Sequence, residues 1–183
     1  RQMVLAQSMP NFLRPPIAYL FKLFKQERSS MYVENVGVKE ISVFNKAVYG
    51  IQLMQNKLES WIKDNKVDGI ISPLFALPAI KHDEFTKVGF AFFYSSLWNI
   101  FDYPSCTIPR VHIVTKEDLM EEYTDSKYGA DVITKAARES LKDSEGLPIG
   151  IQVSAPIYRD EECLALTKRV DDILKKHVIQ QKV

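Results

Sequence analysis

An α/β fold, with a small sheet surrounded by helices, is what this sequence predicts. Three short apolar runs (67–73, 105–114 and 146–156) read as strands, and the segments between them carry helical periodicity. At 183 residues and 46% hydrophobic content the chain has enough apolar material for one sizeable core. Three strands are few for that much helix, so further strands from outside these residues are expected beside them. The chain begins at Arg1 rather than Met, and it reads as the later part of something longer.

Residues 11–28, "NFLRPPIAYLFKLFKQER", open on Pro15 and Pro16, which suit a helix start. Ile17, Leu20, Phe21 and Phe24 then fall at i, i+3, i+4 and i+7, and Arg14, Lys22, Lys25 and Arg28 flank that stripe. Such a composition fits a helix lying on a membrane surface, but Tyr19 and Leu23 widen the apolar zone enough for ordinary burial. Both readings stay open. Residues 40–64 form the longest helical pattern, with Phe44, Val48, Ile51, either Met54 or Gln55, Leu58 and either Trp61 or Ile62 on one face; Gly50 weakens it by about 1 kcal/mol relative to alanine.

"VDGIISP" (67–73) is a short buried strand ended by Pro73. In "SCTIPRVHIV" (105–114), Pro109 lacks a ladder donor, so this strand is an edge, bulged or broken in two. Thr115 and Asp118 resemble a capping box that opens a polar helical stretch. A helix near 130–142 turns Val132 or Ile133, Ala136, Ala137 and Leu141 inward. "GLPIGIQVSAP" (146–156) is apolar on both sides apart from Gln152 and is expected to be the central strand. Asp160 can cap a last helix, with Glu161 and Glu162 in its first turn, Lys175 and Lys176 in its last, and Cys163, Leu166, Val170, Ile173 and Leu174 buried.

Charge and motifs exclude several kinds of chemistry. The net charge of +1 argues against a general nucleic-acid binder, although residues 1–66 carry ten Lys/Arg against five acids and the remainder is acidic. No apolar run reaches eighteen residues, and the first ten residues lack the charged-then-apolar order of a signal peptide. His82, His112 and His177 stand singly, Cys106 and Cys163 fit no metal or redox spacing, and the seven glycines never cluster into a phosphate loop. No metal and no cofactor are expected, and the cysteines are expected to be reduced thiols. Ser95 and Ser96 sit in the crowded segment "YSSLWNIFDYPSCTIP" (94–109), where no base accompanies the hydroxyls. They read as packing residues.

"VDGIISPLFALPA", then "LWNIFDYPSCTIP", then "GLPIGIQVSAPIYRDEECL" resemble the C-terminal part of the amidase signature family, and within it the fatty-acid amide hydrolases. The order and spacing match: a strand ending in Ser-Pro, an aromatic-Asn-x-x-Asp-aromatic-Pro segment, Gly-Leu-Pro-x-x-x-Gln, and an acidic helix start. About forty residues between "CTIP" and "GLPIG", and the basic aromatic segment before the long helix, are similar to the fatty-acid branch.

The resemblance implies a mixed-sheet amidase core (57–183) preceded by a helical membrane-cap-like segment (11–56), all within one amidase domain. It also implies amide hydrolysis through an acyl-enzyme. The serine nucleophile, bridging serine, lysine base and glycine-rich oxyanion loop belong to upstream segments without counterpart in these residues, so no catalytic residue is assigned here. By position, Tyr158, Ile157, Met120, Tyr49 and Leu53 would line the acyl channel, plain core packing being the alternative for each. Ile17, Leu20, Phe21 and Phe24 would enter the lipid interface, with Arg14, Lys22 and Lys25 at the headgroups. The partners implied are the N-terminal part of the amidase domain, a lipid amide, a membrane surface and a second copy in a homodimer. The location implied is intracellular, at an endomembrane. Two rivals stand beside this: a non-catalytic split or degenerate subunit, and a soluble amidase of small amides.

Overall fold

In the computed structural model, which describes residues 9–119 apart from 83 and 86, and residues 131–180, the three apolar runs form one sheet. Strands β1 (Ile70–Pro73), β2 (Ser105–Ile113) and β3 (Pro148–Ser154) lie in the order β1-β3-β2. β3 is central, as its two-sided apolar pattern predicts. The expected mixed sheet is corrected for the described residues, where both pairings are antiparallel. β1 and β2 run the same way but do not touch, because β3 returns between them. Their outer edges are unpaired among the described residues, which leaves room for further strands.

Pro109 acts as expected. The β2–β3 register shifts between Ile108 and His112, and Arg110 takes a left-handed φ of 59°, so the edge strand is bulged there. Beyond β2, the Thr115 N–H donates to Asp118 Oδ2 at 2.8 Å and the Asp118 N–H donates to Thr115 Oγ1 at 3.4 Å, closing the reciprocal cap over a 3₁₀ turn at Glu117–Leu119. His112 Nε2 lies 2.7 Å from the same Asp118 oxygen. That contact, with the Thr115 bonds, holds the Asp118 carboxyl down at about 2.

Among the described residues six α-helices surround the sheet: α1 (Arg14–Leu23), α2 (Glu27–Asn35), α3 (Ile41–Asn65), α4 (Phe93–Ile100), α5 (Val132–Leu141) and α6 (Asp160–Gln180). The predicted helix over 11–28 is instead a hairpin of α1 and α2. Lys25 takes a left-handed φ of 56° and the Gln26 N–H donates to Phe21 O at 2.9 Å, which closes α1 without the glycine that usually marks such a stop. The break turns Arg14 inward, correcting its assignment to the headgroups. Arg14 is 3% exposed, and its guanidinium donates to Asn11 Oδ1, Val33 O and Met9 O.

Gly37, at φ 106°, packs under that guanidinium, where an added Cβ would lie 2.5 Å from Arg14 Cζ. Replacing Gly37 by alanine is expected to cost about 1–3 kcal/mol, from backbone strain and the displaced arginine. The measurement is the urea midpoint, which should fall at unchanged slope.

A polar cluster ties the hairpin to α5. Arg28 pairs with the fully buried Asp131 at 3.7 Å and donates to Thr134 Oγ1, while the Val132 N–H donates to Gln26 Oε1 at 2.8 Å. Asp131 also caps α5 by accepting from the Ile133 N–H. On α5, Ile133 is half-buried and Val132 is 59% exposed, which decides between them. α6 begins at Asp160 as expected but continues past Lys175 and Lys176, and Ile173 on it is exposed rather than buried. α3 runs unbroken through residue 57, so the expected cap and core share this helix.

Candidate functional site

The Ser-Pro, aromatic-Asn-x-x-Asp and Gly-Leu-Pro-x-x-x-Gln segments meet around one buried amide. Gln152, on β3 and 3% exposed, donates from Nε2 to Ser72 Oγ at 3.1 Å, Pro73 O at 3.0 Å and Tyr94 O at 2.8 Å. Ser72 also accepts from Trp98 Nε1 at 3.1 Å. An amide buried in a central strand is stable only when its hydrogen bonds are met, and here they join β1, β3 and the start of α4. Gln152 was legible as the polar exception in an apolar strand; its partners were not.

α4 ends on the Asn-x-x-Asp turn. Asp102 takes a left-handed φ of 56°, and the Tyr103 N–H reaches back to Trp98 O at 3.0 Å. This stacks Tyr103 on Trp98 with ring centroids 5.7 Å apart, and the two join Ile62 of α3 in the buried cluster. Burial, then the hydrogen bond it donates to the Glu59 carboxylate, pushes the Tyr103 phenol well up.

Beside this frame lies an apolar recess of about 390 Å³, walled by Leu74, Phe75, Ile80, Phe85, Ser95 and Ile149. Ser95 Oγ donates to Phe92 O at 2.9 Å and Ser96 Oγ donates to Phe93 O at 3.2 Å, bonds local to the start of α4.

The expected channel residues are spread apart. Ile157 is half-buried against the Ile62–Trp98–Tyr103 cluster. Tyr158, next to it, is 87% exposed with a left-handed φ of 64°, an outlier for an aromatic residue. Tyr49 and Leu53 are exposed on α3 and, at 100° per residue, face away from the stripe of Ile51, Leu58 and Ile62. Met120 lies outside the described residues.

The expected membrane stripe divides similarly. Leu20 and Phe24 are exposed, joined by Phe12, Tyr19 and Leu23, whereas Ile17 and Phe21 are half-buried. Lys22 pairs with Glu34 at 2.9 Å and Lys25 is exposed. No helix among the described residues is long and apolar enough to cross a membrane.

This frame is an α/β fold whose three sequence segments lock through a buried glutamine. Residues 8–164 match the amidase family, and the chain belongs to it. Among curated relatives it is 34% identical over 113 residues to fatty acid amide hydrolase 1 of Caenorhabditis elegans, covering 60% of this chain and 19% of that protein. It is 25% identical over 108 residues to fatty-acid amide hydrolase 1 of Sus scrofa (59% and 18%), and 30% identical over 121 residues to a "Probable amidase" of Saccharomyces cerevisiae (64% and 22%). The chain therefore spans about a fifth of the length of the curated relatives it matches. A solved fatty acid amide hydrolase superposes with a TM-score of 0.61 at 24% identity, over 82% of this chain and 26% of that one, a likeness of fold.

Proposed function

We propose that this chain is the C-terminal portion of a serine amidase that hydrolyses the carbon–nitrogen bond of lipid amides at a membrane surface. The observation that carries it is the exposed apolar face of α1 in a chain of the amidase family: Phe12, Tyr19, Leu20, Leu23 and Phe24 stand in solvent together. The nematode and pig relatives, by their names, act on fatty-acid amides, which supports the same substrate class.

In this reading the nucleophile, its base and the oxyanion donors come from the N-terminal part of the domain. The present residues hold the substrate. Tyr158 offers a broad apolar ring, held outward by its left-handed backbone, and Ile157 anchors that turn to the core. Strain of this kind, about 1–3 kcal/mol, persists where the surroundings impose it. Gln152, Ser72 and Trp98 keep β1, β3 and α4 in register beneath.

The test is hydrolysis of a long-chain and a short-chain acyl amide by this chain alone and by the protein including its upstream part. The chain alone is expected to cleave neither and to label with no fluorophosphonate, since it lacks the lysine base and glycine-rich donors. The longer protein should favour the long-chain amide by about tenfold or more in kcat/KM. Labelling of Ser95 or Ser96 would overturn the division of roles. A preference for the short amide would instead favour a small-amide amidase, the broader reading that the similarity to the yeast protein supports.

A further inference from the structure

Cys106 and Cys163 are 57 residues apart in sequence and adjacent in the fold. Cys106 stands on β2 opposite Val153, and Cys163 lies in the first turn of α6. Their sulfurs are 3.8 Å apart. Cys163 is fully buried, and its thiol donates toward Pro104 O and Val153 O, each at 3.3 Å. Cys106 is partly exposed. The pair thus joins a partly exposed cysteine to a sealed one, the arrangement that sequential thiol–disulfide exchange uses.

We propose that Cys106 and Cys163 are a thiol-oxidation site that closes reversibly to a disulfide between β2 and α6. The oxidant is a small organic disulfide, for which oxidised glutathione serves as the case. Cys106 gives its proton to solvent and its thiolate attacks one sulfur of oxidised glutathione; that S–S bond breaks, and one glutathione thiolate leaves and takes up a proton. Cys163 then loses its proton and attacks the Cys106 sulfur of the mixed disulfide, expelling the second glutathione, which is protonated in turn. Two cysteine thiols are oxidised, and one glutathione disulfide is reduced to two thiols. Burial, then the neighbouring Cys106, pushes the Cys163 thiol up, which disfavours it as the first nucleophile.

An S–S bond is about 2.0 Å long, so the sulfurs must approach by just under 2 Å. That movement takes Cys163 from its two carbonyls at the strand ends. Pro104 O also accepts from the Ala155 N–H at 3.1 Å, at the root of the turn that carries Ile157 and Tyr158. An effect of oxidation on substrate rests on the proposed function; the disulfide itself does not.

The experiment treats the complete folded protein with oxidised glutathione, quenches it with an alkylating agent under denaturing conditions, and maps the peptides by mass. Expected is a cross-linked pair of peptides containing Cys106 and Cys163, both thiols lost together and both restored by dithiothreitol. In Cys163→Ala, Cys106 should instead retain a glutathione adduct; in Cys106→Ala, Cys163 should stay alkylatable. Circular dichroism confirms that each variant is folded, and the wild-type map decides the matter even where one is not. A wild-type protein that accumulates the Cys106 adduct without the cross-link, or whose two thiols both stay free, overturns the proposal. These outcomes do not depend on amide hydrolysis, so failure of the substrate reading would leave them unchanged.

Discussion

Replacing Leu20 and Phe24 together by serine is expected to lower binding to anionic vesicles by about a hundredfold while leaving the circular dichroism unchanged. Full burial of one such side chain is worth about 1.5–3 kcal/mol, and partial entry of two into the interface reaches about 3 kcal/mol, near two factors of ten. The fold should tolerate the change because these side chains are 52% and 69% exposed and pack little in the protein. Lys25 adds an attraction of about 1 kcal/mol that salt removes, while Lys22 contributes less because Glu34 holds it. Serine at Ile17 and Phe21 is the contrasting pair. Both are half-buried in the hairpin, so their loss should unfold α1 rather than merely weaken binding. Unchanged co-sedimentation of the Leu20/Phe24 variant would remove the membrane face, and with it the main support for a lipid substrate.

Trp98→Ala is expected to destabilise the protein by about 3–5 kcal/mol, seen as a lower denaturant midpoint. Its ring is 5% exposed, stacked on Tyr103 and packed with Ile62, and its Nε1 is bonded to Ser72. Phe93→Ala, five residues earlier on the same helix, should change stability by only about 0.5 kcal/mol, because that ring is 58% exposed. Similar effects at both positions would mean that the Trp98 cluster is not the core that holds α4 to the sheet.

The elements that were legible in the sequence depend on local signals. Pro109 bulges its strand through a missing donor, Thr115 and Asp118 cap each other across three residues, and the two-sided apolar run at 146–156 marks a strand covered by neighbours. Where the local signal was misleading, a distant group had intervened. The helix read over 11–28 runs past Lys25, a position where no glycine or proline marks a stop. Yet Arg14 needs the carbonyl of Val33, on the returning helix, for its buried guanidinium, and Gln26 is held by the N–H of Val132. The channel residues were placed by likeness alone. Periodicity could say that Tyr49 and Leu53 lie opposite Leu58, but not which side of α3 would meet the core.

The sequence by itself determined the three strands seen among the described residues, the central place of β3 and the long helix α3, because periodicity and proline chemistry act within a few residues. Only the tertiary structure decided the antiparallel return of β3 between β1 and β2, the burial of Arg14 under Gly37, the partners of Gln152 and the meeting of Cys106 with Cys163. Each of those joins residues tens of positions apart. What brings them together is the shared burial of several elements and the need of each sealed polar group for a partner, conditions that no single stretch of chain contains.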